Sequence, residues 1–140
     1  MRRILAGGAL LPCLLGCAAR KPMPGQDWLK KTRDEIGVAW VARGERVASQ
    51  MDPTGCRFSW RDRRTVLEFR VDRTGRIGDV RVVSGSGAGY LDDLAVDVLR
   101  RVGTIRPPPP DDLFKAGADS VKLPFAMTLL ARKDVRQCEM

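Results

Sequence analysis

Two stretches of this chain alternate residue by residue between apolar and polar side chains, and they restrict the fold more than any other feature. In the first, Thr65, Leu67, Phe69 and Val71 alternate with Glu68, Arg70 and Asp72. In the second, Val121, Leu123, Phe125, Met127 and Leu129 alternate with Lys122, Pro124, Ala126 and Thr128. A period of two sends every second side chain to one face, so each stretch predicts a half-buried strand of a sheet. Asp72-Arg73-Thr74-Gly75-Arg76 is a turn in which Gly75 is free to take positive φ. A second strand is expected from Ile77 to Ser84, forming a hairpin with the first. Pro124 has no N–H for a ladder, which predicts an edge position or a bulge for the last strand.

Helical patterns surround these strands. Asp27 is the predicted cap of a helix starting at Trp28, with Leu29, Ile36, Trp40 and Val47 on its apolar stripe and Ala39 broadening it. Gly37 and Gly44 weaken that helix, and Asp52-Pro53-Thr54-Gly55 ends it. A second helix is expected over 90–102, with Leu91, Leu94, Ala95, Val98 and Val102 on one face. Asp92 and Asp93 in its first turn and Arg100 and Arg101 in its last suit the helix dipole, and Gly103 stops it. Pro107 to Pro110 predict an extended stretch. The order helix, strand, strand, helix, strand describes one small α+β domain over 27–140, with helices on one face of a short antiparallel sheet.

The N-terminal segment is of another kind. Arg2 and Arg3 precede an uncharged apolar run from Ile4 to Leu15, the pattern of an export signal and too short to span a bilayer. Leu14-Leu15-Gly16-Cys17 resembles the lipoprotein-processing box, with Leu15 bulkier than the usual small residue. The resemblance implies a signal over 1–16, a lipid-bearing Cys17 and a membrane-anchored tether over 17–26. Ala18 in place of an aspartate favours the outer membrane, facing the periplasm. Loss of Arg2 and Arg3 with the signal lowers the net charge from +8 to +6. In an exported protein this charge serves solubility and attraction to anionic surfaces, and nucleic acid is not expected as a partner. Cys13 lies within the signal and Cys17 takes lipid, which leaves Cys56 and Cys138. In an oxidising compartment these two are expected to form a disulfide, with a free thiol or an intermolecular bridge as alternatives.

Little in the chain supports catalysis. It has no histidine, so the commonest general base and metal ligand are missing. No metal, cofactor or enzymatic activity is expected. The glycine loop Ser84-Gly85-Ser86-Gly87-Ala88-Gly89 lies between strand and helix like a dinucleotide fingerprint, but Tyr90 stands where the third glycine belongs. A tight turn is the expected reading. Arg57, Arg61, Arg63 and Arg64, with Phe58 and Trp60 between them, form a basic-aromatic cluster, expected to be a solvated loop leading into a strand.

From Val66 to Leu130 the pieces also resemble the C-terminal domain of TonB-type proteins, a match that extends in outline over 64–131. They are Leu67-Glu68-Phe69-Arg70-Val71-Asp72, the turn glycine Gly75, Val80-Arg81-Val82-Val83, Ser84-Gly85-Ser86-Gly87, Leu91-Asp92, Ile105-Arg106-Pro107-Pro108 and Val121-Lys122-Leu123-Pro124-Phe125. The family usually has serine-serine-glycine where this chain has Ser-Gly-Ser-Gly. The resemblance implies a non-catalytic periplasmic module that takes up an extended segment of an outer-membrane or other envelope protein as an added strand. The implied contact edge is the last strand, through Val121, Lys122, Leu123, Phe125, Ala126 and Thr128, with Lys122, Thr128 and Ala126 pointing outward. A TonB transducer has an N-terminal transmembrane helix and a long proline-rich spacer, in contrast to the lipoprotein signal and short tether read here. An accessory energy transducer, a structural lipoprotein touching the cell wall and a homodimer remain alternatives.

Overall fold

The computed structural model describes residues 21–133. Helix α1 spans Gly25–Met51, strand β1 Arg63–Asp72, strand β2 Ile77–Ser84, helix α2 Gly89–Val102 and strand β3 Ser120–Leu129, with a 3-10 turn at Asp111–Leu113. This is the expected α+β order. The three strands form one antiparallel sheet in the order β2-β1-β3. The central strand is therefore the first alternating stretch, and the second lies at an edge, as Pro124 required.

One face of β1 carries Thr65, Leu67, Phe69 and Val71 into the interior. They meet Trp28, Ile36, Trp40 and Ala48 of α1 and Leu91, Leu94, Ala95, Val98 and Leu99 of α2. The opposite face is open and carries the ion-paired Glu68, Arg70, Arg81 and Lys122, as one-sided antiparallel sheets allow.

Helix α1 departs from its expected form. It begins at Gly25 rather than Trp28, and its N-cap position is Pro24. Asp27 is not the cap but lies in the first turn, where its charge suits the dipole. The cap comes from far along the chain, because the Gly25 N–H donates to Asp112 Oδ2 at 3.0 Å. The buried stripe is also rotated. Trp28, Thr32, Ile36, Trp40, Gly44 and Ala48, each four residues apart, face the core, while Leu29, Ala39 and Val47 are only partly covered. Gly44 lies on the buried stripe, where a Cβ would make ordinary van der Waals contact with Trp40 at 3.4 Å and Leu129 at 3.6 Å.

Both indoles on this stripe hold distant backbone. Trp28 Nε1 donates to the Pro107 carbonyl at 2.8 Å, and Trp40 Nε1 to the Thr128 carbonyl at 2.9 Å. The β1–β2 turn is as tight as its sequence implied. Gly75 has φ 89°, and a Cβ there would sit 2.2 Å from the Ile105 carbonyl oxygen. Asp72 Oδ1 closes this turn by accepting from the Thr74 and Arg76 N–H groups and the Thr74 hydroxyl. The Thr74 hydroxyl first, and then the Arg76 N–H, hold the Asp72 carboxyl below its usual range.

Strand β2 is not the smooth strand expected from Ile77 to Ser84. Its pairing with β1 slips between Val66/Leu67 and between Glu68/Arg70. At each slip β2 carries one extra residue, which defines two bulges. Asp79, with φ 51°, lies in the second.

The glycine loop before α2 is a structural turn. Asp92 Oδ1 accepts from the Ser86 N–H at 2.9 Å and from the Thr65 hydroxyl at 2.7 Å. The chain thus supplies its own carboxylate at this helix N-terminus.

Candidate functional site

The expected contact residues Val121, Lys122, Leu123, Phe125, Ala126 and Thr128 all lie on β3. That strand pairs with β1 without interruption from Arg63↔Leu129 to Asp72↔Ser120. Its other side has no strand neighbour among the described residues.

Which backbone groups face that free side follows from two hydrogen bonds. In an antiparallel ladder the N–H and C=O of one residue point the same way, and this direction alternates along the strand. Asp72 on β1 donates its N–H to Arg76, on the β2 side. Even-numbered residues of β1 therefore face β2, and odd-numbered ones face β3. The register then directs Val121, Leu123, Phe125, Met127 and Leu129 toward β1 and leaves Lys122, Pro124, Ala126 and Thr128 facing outward. The Trp40 indole on the Thr128 carbonyl agrees with this assignment.

The free edge is thus a short window. Lys122 and Ala126 each present a donor and an acceptor. Pro124 between them presents an acceptor only. At Thr128 the carbonyl is already occupied by Trp40, so α1 closes the window at that end.

The side chains around the window are of two kinds. On the open face, Lys122 Nζ lies 3.1 Å from Glu68 Oε1, and Arg81 of β2 binds the same carboxylate. The Lys122 ammonium first, then the Arg81 guanidinium, hold the Glu68 carboxyl below its ordinary range. On the helix side, Leu123 and Phe125 meet Leu29, Thr32 and Arg33 of α1 around a cleft of about 130 Å³. Thr32 is buried there with its hydroxyl unpartnered.

Below β3, a buried carboxylate organises the approach to the sheet. Asp52 is fully buried and accepts from the N–H groups of Arg57, Phe58 and Ser59 at 3.2, 2.7 and 2.8 Å. Removal from water works to raise its pKa, but the three N–H donors outweigh that and hold it at about 2. Arg132, just past β3, donates to the Asp52 and Pro53 carbonyls.

Sequence patterns do not single out Trp40, Thr32 or Asp52 as site residues. For Trp40 the available signal was a pair of indoles on one helix face, since a buried indole N–H needs an acceptor. Cys56 is disulfide-bonded. Cys17 and Cys138 lie outside the described residues. Among the described residues no cluster of three or more histidine, cysteine or acidic residues is arranged to hold a metal, and no helix is long and apolar enough to cross a membrane.

Comparison with known proteins bears on the same stretch of chain. Residues 62–126, which run from the start of β1 into the outward window of β3, match the family described as Gram-negative bacterial TonB protein C-terminal. A curated relative, "Protein TonB" of Pseudomonas putida, is 36% identical over 63 residues. That alignment takes in 45% of this chain but only 26% of the relative, so this chain spans about a quarter of the length of the protein it matches. No solved structure matches. Residues 62–126, which take in β1, the β1–β2 turn, α2 and the first part of β3, are thus similar to the TonB C-terminal family over just under half of the chain.

Proposed function

We propose that this protein is a non-catalytic, lipid-anchored binding module of the cell envelope. It takes up an extended segment of an outer-membrane or other envelope protein beside β3. The observation that carries this reading is the uninterrupted ten-residue register of β3 against β1, which leaves an ordered row of outward backbone groups at the edge. A partner strand would pair at Lys122 and Ala126, with a reduced set of bonds at Pro124. Its alternate side chains would meet either the Glu68–Lys122 face or the cleft by Leu29 and Phe125.

The anchor in this reading is Cys17, lipid-modified after removal of residues 1–16, with the periplasm as the working compartment. Stable anchoring takes two or more acyl chains. Replacing Cys17 by Ser is expected to release the protein from membranes or block its processing; a processed, membrane-retained Cys17→Ser form contradicts the anchor. The disulfide of Cys56 is assigned to Cys138, which non-reducing peptide mapping of envelope-derived protein tests directly.

Ala126→Pro tests the binding mode. It removes one outward donor without touching the β1 ladder. Partner recovery from cross-linked envelopes is expected to fall at least tenfold while the fold is retained; full recovery would place the partner elsewhere.

A further inference from the structure

The basic-aromatic cluster before β1 is built more tightly than a solvated loop. Arg57 lies over the Phe58 ring at 5.5 Å, and Arg63 lies 5.8 Å from the same ring and 5.9 Å from Trp60. Arg61 then covers Trp60 at 5.0 Å. The result is a ladder of alternating cation and aromatic side chains, Arg57, Phe58, Arg63, Trp60 and Arg61. Its middle is fixed. Arg63 is only 6% exposed and donates to the Phe58 and Ser86 carbonyls. The backbone is fixed as well, by the three N–H bonds to Asp52, by Arg132 N–H on the Ser59 carbonyl and by Ala131 N–H on Asp62. The ends are open: Arg57 and Arg61 are exposed, and Trp60 is 52% exposed.

A half-exposed indole costs apolar hydration, and a rigid loop spends no ordering entropy when it binds. The local charge is predominantly positive. Arg57, Arg61, Arg64 and Lys133 are exposed, the Asp52 carboxylate is buried, and Asp62 is the one exposed acid between 52 and 64. Leu130, 72% exposed, adds apolar surface next to the Arg63–Leu129 pair.

We infer that this ladder is a contact site for an anionic phospholipid surface. Guanidiniums match phosphate oxygens with two parallel N–H donors, and tryptophan favours the level of the headgroups. An exposed indole between guanidiniums suits a sequence-less phosphate layer better than an acidic peptide, which would need a groove or edge to order it. The loop follows the C-terminal end of the 27-residue α1, about 40 Å along the helix from Pro24. It is therefore a second point of attachment, independent of any tether before α1 and of strand addition at β3.

Tryptophan fluorescence tests this without ambiguity of site, because Trp28 and Trp40 are buried and Trp60 is the one exposed indole of the chain's three. Full-length protein is mixed with brominated vesicles, either rich in phosphatidylglycerol or of phosphatidylcholine alone. Quenching of Trp60 is expected only with the anionic vesicles, and salt should abolish it. Each guanidinium near such a surface contributes roughly fivefold to partitioning, so Arg57→Ser with Arg61→Ser should raise the lipid needed for half-quenching about thirtyfold. A far-ultraviolet spectrum matching the parent shows that this variant folds, and Trp60→Phe identifies the signal. Equal quenching with both vesicles, quenching untouched by the arginine variant, or no quenching at all overturns the inference. Trp60 that ignores vesicles but responds to soluble polyglutamate assigns the ladder to acidic polypeptide and overturns it as well.

Discussion

The two edges of this sheet are guarded in different ways. Edge β2 is broken twice by bulges, with Asp79 at positive φ in one of them. Its outward backbone groups therefore fall out of step, and a second strand cannot pair along it even though Val83 is 59% exposed there. Edge β3 keeps register over its whole ten residues. It is limited instead by single residues: Pro124 withholds one donor, and Trp40 takes the Thr128 carbonyl. A twice-bulged edge loses register along its length, whereas the β3 edge keeps usable groups at Lys122 and Ala126. That difference is why binding is proposed at β3 rather than at β2, where Val82 and Val83 are exposed.

Proline substitutions break the comparison most forcefully. Leu123→Pro removes an N–H directed at β1 and should cost about 3 kcal/mol or more, whereas Ala126→Pro removes an outward N–H and should cost under about 1 kcal/mol. Urea unfolding of the two variants measures both. Equal losses would mean that the inward and outward residues of β3 are wrongly assigned.

Acid acts next, most strongly through Asp52. Asp52 seats the loop leading into β1 and, through its carbonyl, the Arg132 that follows β3. Its carboxyl sits at about 2 in the fold against an ordinary 3.8. A depressed pKa gives stability that is complete above the ordinary value and is lost as pH falls through the folded one. About 2 kcal/mol should therefore disappear between roughly pH 4 and pH 2. Asp52→Asn should be weaker at neutral pH and show less of this fall in thermal melts. A parent-like fall in the variant would assign the acid transition to other groups.

Smaller effects sharpen the edge itself. Trp40→Phe leaves the Thr128 carbonyl without its indole donor, at a cost of about 1 kcal/mol. It should widen the window by one acceptor, so partner recovery rises or holds; a loss would show that the indole supports the edge rather than closing it. Val83→Lys on β2 should change stability by less than about 0.5 kcal/mol and leave partner recovery unchanged. Lost recovery there would move docking to the other edge.

Much of this architecture was legible in the sequence because its signals are local. Alternation at Leu67, Phe69 and Val71 marked the central strand, and Pro124 marked the edge. Gly75 marked a turn that tolerates no Cβ. What escaped were pairings between distant residues. The Asp112 cap on α1 replaces the expected Asp27. The indole bonds of Trp28 and Trp40 reach carbonyls 79 and 88 residues away. The β2 bulges leave no trace in a stretch whose valines read as a regular strand, since bulging is set by the partner's register. At the proposed site, the presence of an edge strand was legible, but the direction of each backbone group was not. That direction depends on the Asp72–Arg76 bond and the continuous β1–β3 register.

The most direct measurement is photo-crosslinking in cells from a probe at Lys122 on β3, matched by one at Val83 on β2. The Lys122 probe should trap one envelope protein, with the crosslink mapped to an extended segment and lost in the Ala126→Pro background, while the Val83 probe traps nothing comparable. Capture from Val83 alone, or a Lys122 product unaffected by Ala126→Pro, would contradict docking at the β3 edge.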